Sequence, residues 1–432
     1  MLIIKLYALV SLFIFISTNA LAEDDVFQIY CGQMLDVESE EIIDGVMISV
    51  DLKTEKIVDL NSNIQLNAVN NTLDLSDHFC LPGLIDMHTH ISEKASSSDL
   101  SEFLTRSQEE QLVEARENAQ TTLEVGFTSI RDVGVYIAWT DKRLRDEINQ
   151  GLTPGPRMQI SGYYLTIPGG GGDIDIPGYK GDVPEHIRRG VTRGEDQFRQ
   201  RAENAVSGGA DLLKMIASGA VLAYGSVPGR PEMNPDEIEA VVDVGHQAGI
   251  RVTAHAHGAE SIKQAISAGA DSIEHASLID DVGIQMAKEQ GVALSMDIYN
   301  GDYINTVGVI DGWPEEFLRK NRETTQIQRE NFTKAHQAGV TIVNGTDAGV
   351  YPHGDNAKQF AYMVEYGMTN MEAIQAATIR ASEVMDWEDR VGRIKTGYFA
   401  DIIAVRDNPL LDIRSLENVN VVIKGGTVYK SD

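Results

Sequence analysis

Residues 81–90 read Leu81-Pro82-Gly83-Leu84-Ile85-Asp86-Met87-His88-Thr89-His90. A turn signal, Pro82-Gly83, precedes a brief apolar run, and the run ends in two histidines spaced by two. On a strand that spacing turns both imidazoles to one face. The same texture returns at Val252-Thr253-Ala254-His255-Ala256-His257 and at Ser272-Ile273-Glu274-His275. Around these lie Thr128-Ser129-Ile130, Met158-Gln159-Ile160, Leu212-Leu213-Lys214-Met215-Ile216, Val292-Ala293-Leu294-Ser295 and Thr341-Ile342-Val343. Helical stretches such as Pro235 to Ala248 and residues 371–385 sit between or after them. Eight strand–helix units over roughly 300 residues predict an α/β fold, a (β/α)8 TIM barrel. Such barrels carry their chemistry at the C-terminal ends of the strands, and the histidines fall there.

Both flanks of this centre are β-rich. Val46-Met47-Ile48-Ser49-Val50, Ile57-Val58-Asp59-Leu60 and Thr72-Leu73-Asp74-Leu75 are short strand-like runs with turns between them. The C-terminus repeats the pattern with Asp401-Ile402-Ile403-Ala404-Val405, Val421-Val422-Ile423, a Gly425-Gly426 turn and Thr427-Val428-Tyr429. Chain ends often lie close together, so a small β-sandwich domain built from both termini is expected. The expected boundaries are 23–80 and 397–432 for the sandwich and 81–396 for the hydrolase barrel.

Residues 1–22 read as a signal peptide. Lys5 precedes an apolar run over 6–16, Ala20-Leu21-Ala22 forms an A-x-A cleavage site, and no Cys follows it. The run is too short to span a bilayer, and no later stretch reaches the roughly 18 apolar residues required. An exported, periplasmic protein is the expectation; an uncleaved N-terminal anchor is the alternative. In such a compartment Cys31 and Cys80 either pair or stay as two buried thiols. The chain has 432 residues, 65 acidic against 36 basic, with a net charge of −29. That charge argues against nucleic acid and against an anionic membrane surface as partners.

His88, His90, His255 and His275, with Asp347 just beyond the eighth strand, outline a metal centre, because imidazole and carboxylate are zinc ligands. His257 lies on the same face as His255. Lys214 stands among apolar neighbours inside the fourth strand. Burial favours its neutral amine, which can take up CO2 as a carbamate and bridge two cations.

These stretches resemble the amidohydrolase superfamily. Residues 81–90 look like its first-strand motif, Gly209-Ala210-Asp211-Leu212-Leu213-Lys214 its carboxylated-lysine strand, and Gly345-Thr346-Asp347-Ala348-Gly349 its last metal strand. Gly126-Phe127-Thr128-Ser129-Ile130-Arg131-Asp132-Val133-Gly134, Gly155-Pro156-Arg157 and Tyr351-Pro352-His353-Gly354-Asp355-Asn356-Ala357 are similar to the branch holding imidazolonepropionase-like proteins, Xaa-Pro dipeptidases and zinc Xaa-Arg/Lys carboxypeptidases. The resemblance implies two Zn2+ ions bridged by N6-carboxylated Lys214. It implies metal-hydroxide attack on the C-terminal amide bond of dipeptides or N-acyl amino acids, with Xaa-Arg/Lys, Xaa-Pro or Xaa-hydrophobic substrates. His88, His90 and Asp347 then hold the more buried ion, and His255 and His275 the outer one. Asp347 shuttles the proton and His257 hydrogen-bonds the carbonyl oxygen. Relatives often form dimers or larger rings, so a homo-oligomer is expected.

One departure is Gly171, which stands in Gly169-Gly170-Gly171-Gly172-Asp173 where many relatives have a His. For the substrate's carboxylate the candidates are Tyr224 and Arg230, with Arg131 and Arg157 also near strand ends. Asp297, Tyr299 and Asp302 are candidates to meet the leaving residue, and His353 to orient Asp347 or its loop. His78, His186, His246 and His336 read as structural. A mononuclear deaminase is disfavoured, because Gly258 stands where its Glu would be and Lys214 would have no purpose. An imidazolone-ring hydrolase meets the same objection. An amidase or lactonase on a non-peptide substrate such as an aryl-amide toxin shares the metal chemistry, and a non-catalytic metal-binding module is the reading from another class.

Overall fold

A computed structural model describes residues 26–64, 72–94 and 99–432; the expected signal peptide, 1–22, lies outside the described residues. Strands from both chain ends form one seven-stranded sheet. Its order is Thr427–Ser431, Val421–Lys424, Ile402–Val405, Thr72–Pro82, Val26–Asp36, Glu41–Asp51, Lys56–Asn61. Alternation explains its two faces. Ile29 and Cys31, Val46, Ile48 and Val50, Ile402 and Ala404, and Val421 and Ile423 share one core. Their neighbours Phe79, Leu81, Ile403, Val405 and Val422 face the opposite way, into the main core. Gly425 and Gly426, at φ +58° and +81°, make the two-residue hairpin turn, which needs positive φ at both positions. The runs Val46–Val50 and Thr72–Leu75 prove to be parts of 11-residue strands, because pairing with Val26–Asp36 extends them. Cys31 and Cys80 are joined in a disulfide, with Cα atoms 6.0 Å apart.

Eight parallel strands follow, numbered here in chain order. The first three are Leu84–Thr89, Phe127–Asp132 and Arg157–Ile160, and they form one sheet. The fourth to eighth are Leu212–Ile216, Arg251–Gly258, Ser272–Leu278, Ala293–Ser295 and Ile342–Val343, and they form another. The first, second and fourth are buried throughout, as expected of parallel strands covered on both faces. Hydrogen bonds link each sheet to segments that follow the end strand of the other. Met87 N–H donates to Asn344 O and Asp347 N–H to His88 O, each at 2.8 Å. On the other side Leu165 N–H donates to Lys214 O and Ile216 N–H to Leu165 O, each at 2.9 Å.

The helix Pro235–Ala248 has the ends its sequence encodes. Asn234 and Glu237 make a capping box, Pro235 opens the first turn, and Gly249 closes the helix at φ +72°. The helix expected over 371–385 is instead two, Asn370–Ala376 and Ile379–Val384. The break has a tertiary cause: Ala376 O accepts from Asn344 N–H and Ala377 O from Ile85 N–H, so the strands take carbonyls at the junction.

Candidate active site

His88 and His90 end the first strand with their Nδ1 atoms already engaged. His88 Nδ1 lies 2.7 Å from Glu274 Oε2, and His90 Nδ1 lies 2.9 Å from the Gly134 carbonyl. Both acceptors require Nδ1 to carry the proton, which leaves the Nε2 lone pair free. The two Nε2 atoms converge on one oxygen, Asp347 Oδ1, at 3.3 and 3.2 Å. His88 Nε2 is buried and makes no hydrogen bond among the described residues. His88, His90 and Asp347 could together hold a metal ion, their ligand atoms lying within 4.8 Å of one another.

Beside them His255, His257 and His275 form a second such group, and His275, Asp297 and Asp347 a third. Asp347 sits at φ +61° and His275 at φ +68°, a conformation non-glycine residues seldom adopt. Such outliers persist where the surroundings over-determine them. Here Gln328 Nε2 donates to His275 O at 3.0 Å and to Asp297 Oδ1 at 2.9 Å, and Asp297 accepts from His275 Nδ1 at 2.9 Å. Asn300 Nδ2 donates to Asp347 Oδ2 at 2.8 Å. Lys214 is buried at 2 % exposure, and burial pulls its amine down to about 8. Burial pushes the Asp347 carboxyl up, but the His88 and His90 imidazoles outweigh it and hold it well below the usual carboxylate range. Burial lowers the His257 imidazole to about 3, so it is neutral.

The support behind His88 is a buried ion pair. Glu274 Oε1 accepts from Arg131 Nη2 at 2.6 Å and from Thr253, and Arg131 Nε donates to Met87 O at 2.7 Å. Arg131 is therefore committed to Glu274 and is not a substrate anchor. The sequence hides Glu274, since strand alternation should turn it away from His275; positive φ at His275 and Ala276 lets both face inward.

The five histidines, Lys214, Asp297 and Asp347 border one cleft. Its walls add Glu93, Tyr136, Tyr164, Asn321, Thr324 and Thr325, and an apolar side of Ile216, Ala220, Val221, Leu222, Ile304 and Val350. Gly171 is at the wall, where a Cβ would come 2.8 Å from Ala220 Cβ. The loop over 217–231 thus fills the place a side chain would take.

Most of the expected substrate residues lie elsewhere. Tyr224 packs on Phe317, and Arg230 is exposed; neither lines the cleft. Tyr299 packs among Tyr351 and Tyr362 outside it, and Asp302 is held by Tyr362 and Arg329. Asp297 does line the cleft, but its oxygens are committed to His275, Gln328 and Asn300. His353 lies behind the first strand, between Thr122 Oγ1 and the His90 carbonyl, and does not touch Asp347. Arg157 pairs with Asp401 and Glu55, a structural role.

Residues 79–429 match the Amidohydrolase family. The chain belongs to the amidohydrolase family. It is accordingly a hydrolase acting on amide bonds. This amidohydrolase is 30 % identical to an ochratoxinase of Aspergillus niger over 94 % of its own length and 87 % of that protein's. It superposes on a solved Xaa-Pro dipeptidase with methionine bound in its active site at a TM-score of 0.85 and 35 % identity, covering 94 % and 100 % of the two chains. A prolidase complexed with N-methylphosphonate-L-proline superposes at a TM-score of 0.86 and 27 % identity, with the same coverage.

Proposed function

We propose that this amidohydrolase is an exported binuclear zinc enzyme that cleaves the C-terminal amide bond of dipeptides or N-acyl amino acids. The observation that carries the reading is the convergence of two imidazole Nε2 atoms on one Asp347 oxygen, beside a second imidazole group and a buried lysine. The hydrogen bonds across both sheet ends support a closed (β/α)8 barrel spanning 81–396. The seven-stranded sheet supports a separate small β domain over 23–80 and 397–432. The Cys31–Cys80 bridge supports export, since such bonds persist in oxidising compartments.

The donor set fits zinc. The imidazoles and carboxylate are its ligand types, His88 Nε2 has no hydrogen-bond partner among the described residues, and Glu274, Gly134 and Asp297 fix the outer nitrogens of His88, His90 and His275. In this reading His88, His90 and Asp347 would hold one ion and His255 and His275 the other. The neutral Lys214 amine could add to CO2 with loss of one proton, and the resulting carbamate would serve as a further ligand. Two bound zinc ions would acidify the attacking water and polarise the scissile carbonyl.

The chain's own groups do the rest. Asp347, aimed by Asn300, accepts the proton of the attacking water and passes it to the leaving nitrogen. When Ser277 Oγ, 2.8 Å away, donates to His257 Nδ1, Nε2 carries the proton and can donate to the carbonyl oxygen as negative charge develops. His257 stands with His255 and His275 in a group able to hold an ion; with carboxylated Lys214 as a ligand beside His255 and His275, His257 would be left free for this work. Loss of Asp297 and Asp302 as free acids removes the argument for Arg or Lys substrates. The apolar side of the cleft supports a proline ring or a hydrophobic side chain, as does the bound methionine in the similar Xaa-Pro dipeptidase. The ochratoxinase similarity supports a second reading, an amidase acting on a non-peptide substrate.

The test is a panel of Xaa-Pro, Xaa-Leu, Xaa-Arg and N-acetyl amino acids, assayed with zinc and bicarbonate. Metal-dependent release of Pro or Leu supports the reading; turnover of aryl amides alone replaces it with the second.

A further inference from the structure

The mechanism leaves one buried acid in the cleft without a task. Glu93 follows the first strand by four residues, is 8 % exposed and borders the cleft. It forms no ion pair with Lys or Arg among the described residues. Its Oε1 accepts from Tyr164 OH at 3.3 Å. A carboxylate taken out of water is costly unless a cation meets it. Two tyrosines stand beside it: Tyr136 and Tyr164 pack edge to face at 5.2 Å, and both line the cleft. Aromatic faces attract cations as carboxylates do, though more weakly. His90 stands next to this group, with Tyr164 OH 3.0 Å from its Nδ1, so the pocket adjoins the reacting centre.

We propose that Glu93, with Tyr136 and Tyr164, binds the α-ammonium group of a free dipeptide and so selects dipeptides over N-acyl amino acids. The inference rests on the dipeptidase reading above and narrows it to substrates with a free amine. It also supplies a cation for the one cleft carboxylate among the described residues that neither holds an imidazole nor belongs to an expected metal group.

The experiment compares Ala-Leu with propionyl-Leu, which differ only by the ammonium group, in the zinc-loaded native protein and in Glu93→Gln. The native enzyme should favour Ala-Leu by about 10- to 100-fold in kcat/KM, the span of a hydrogen bond to a charged group. Glu93→Gln should collapse that ratio towards one, through KM, with zinc content unchanged. If the variant fails to fold, the native ratio alone decides. A native enzyme that cleaves both at equal rates, or a variant that keeps the native ratio or loses zinc, overturns the assignment while the amidohydrolase reading stands. A native enzyme that cleaves neither overturns the dipeptidase reading together with the assignment, while membership of the amidohydrolase family stands.

Discussion

Replacing Glu274 by Gln probes how the protein prepares His88 to bind metal. The carboxylate accepts from His88 Nδ1 at 2.7 Å and from Arg131 at 2.6 Å, and both partners are at most 2 % exposed. A Gln amide with its oxygen kept on Arg131 turns its NH2 towards His88. The imidazole must then accept at Nδ1, which moves its proton to Nε2, the atom aimed at Asp347. Metal affinity should fall about 10- to 100-fold, the usual loss when such a supporting group is removed. Arg131 is left as a buried charge without its counter-ion, worth about 3–5 kcal/mol of stability. Unfolding entropy of about 2.1 cal/mol/K per residue over about 400 residues gives roughly 0.8 kcal/mol/K, so Tm should drop by about 4–6 °C. Competition with a chelator reads the first quantity and calorimetry the second. A variant with native zinc affinity and a Tm within about 1 °C would refute the tautomer argument.

Asp347→Asn should lower kcat by about 10²- to 10⁴-fold in the panel assay, because the amide cannot carry the proton to the leaving nitrogen. His257→Ala should lower kcat by about 10²- to 10³-fold with zinc content intact, whereas His255→Ala should lose zinc; metal analysis beside kinetics separates them. Reducing Cys31–Cys80, 49 residues apart, should cost about 4 kcal/mol from the closed loop, read as a lower midpoint in denaturant with reductant present. Lys424 is depressed by burial to about 8 in the folded state, so the unfolded chain binds more protons above that pH. Native stability should therefore rise between about pH 8 and the unfolded lysine value near 10.4, and Lys424→Met should lessen that rise in pH-dependent denaturation, the remainder coming from Lys214.

Much of this was legible where chemistry coincides with strand period. The spacing of His88 and His90, a lysine inside Leu212–Ile216 and an acid beyond Ile342–Val343 all point to one rim, and the structure gathers them there. What escaped depends on backbone detail or on distant elements. Glu274 joins the rim because His275 adopts positive φ, which no period encodes. Asn300 and Gln328 come from the segment after the seventh strand and from the helix Glu315–Ala338, chosen by packing alone. Tyr299 and Asp302 follow that same strand, yet the helical turn Asn300–Tyr303 sets both against Tyr362. Proximity to a strand end is thus a weaker guide than position on it.

The central claim is tested most directly by an anomalous-diffraction map of native crystals at the zinc edge. The account predicts two peaks, one among His88, His90 and Asp347 and one beside His255 and His275, with carboxylated Lys214 density reaching both. A single peak, or an unmodified Lys214 turned from the imidazoles, would contradict it.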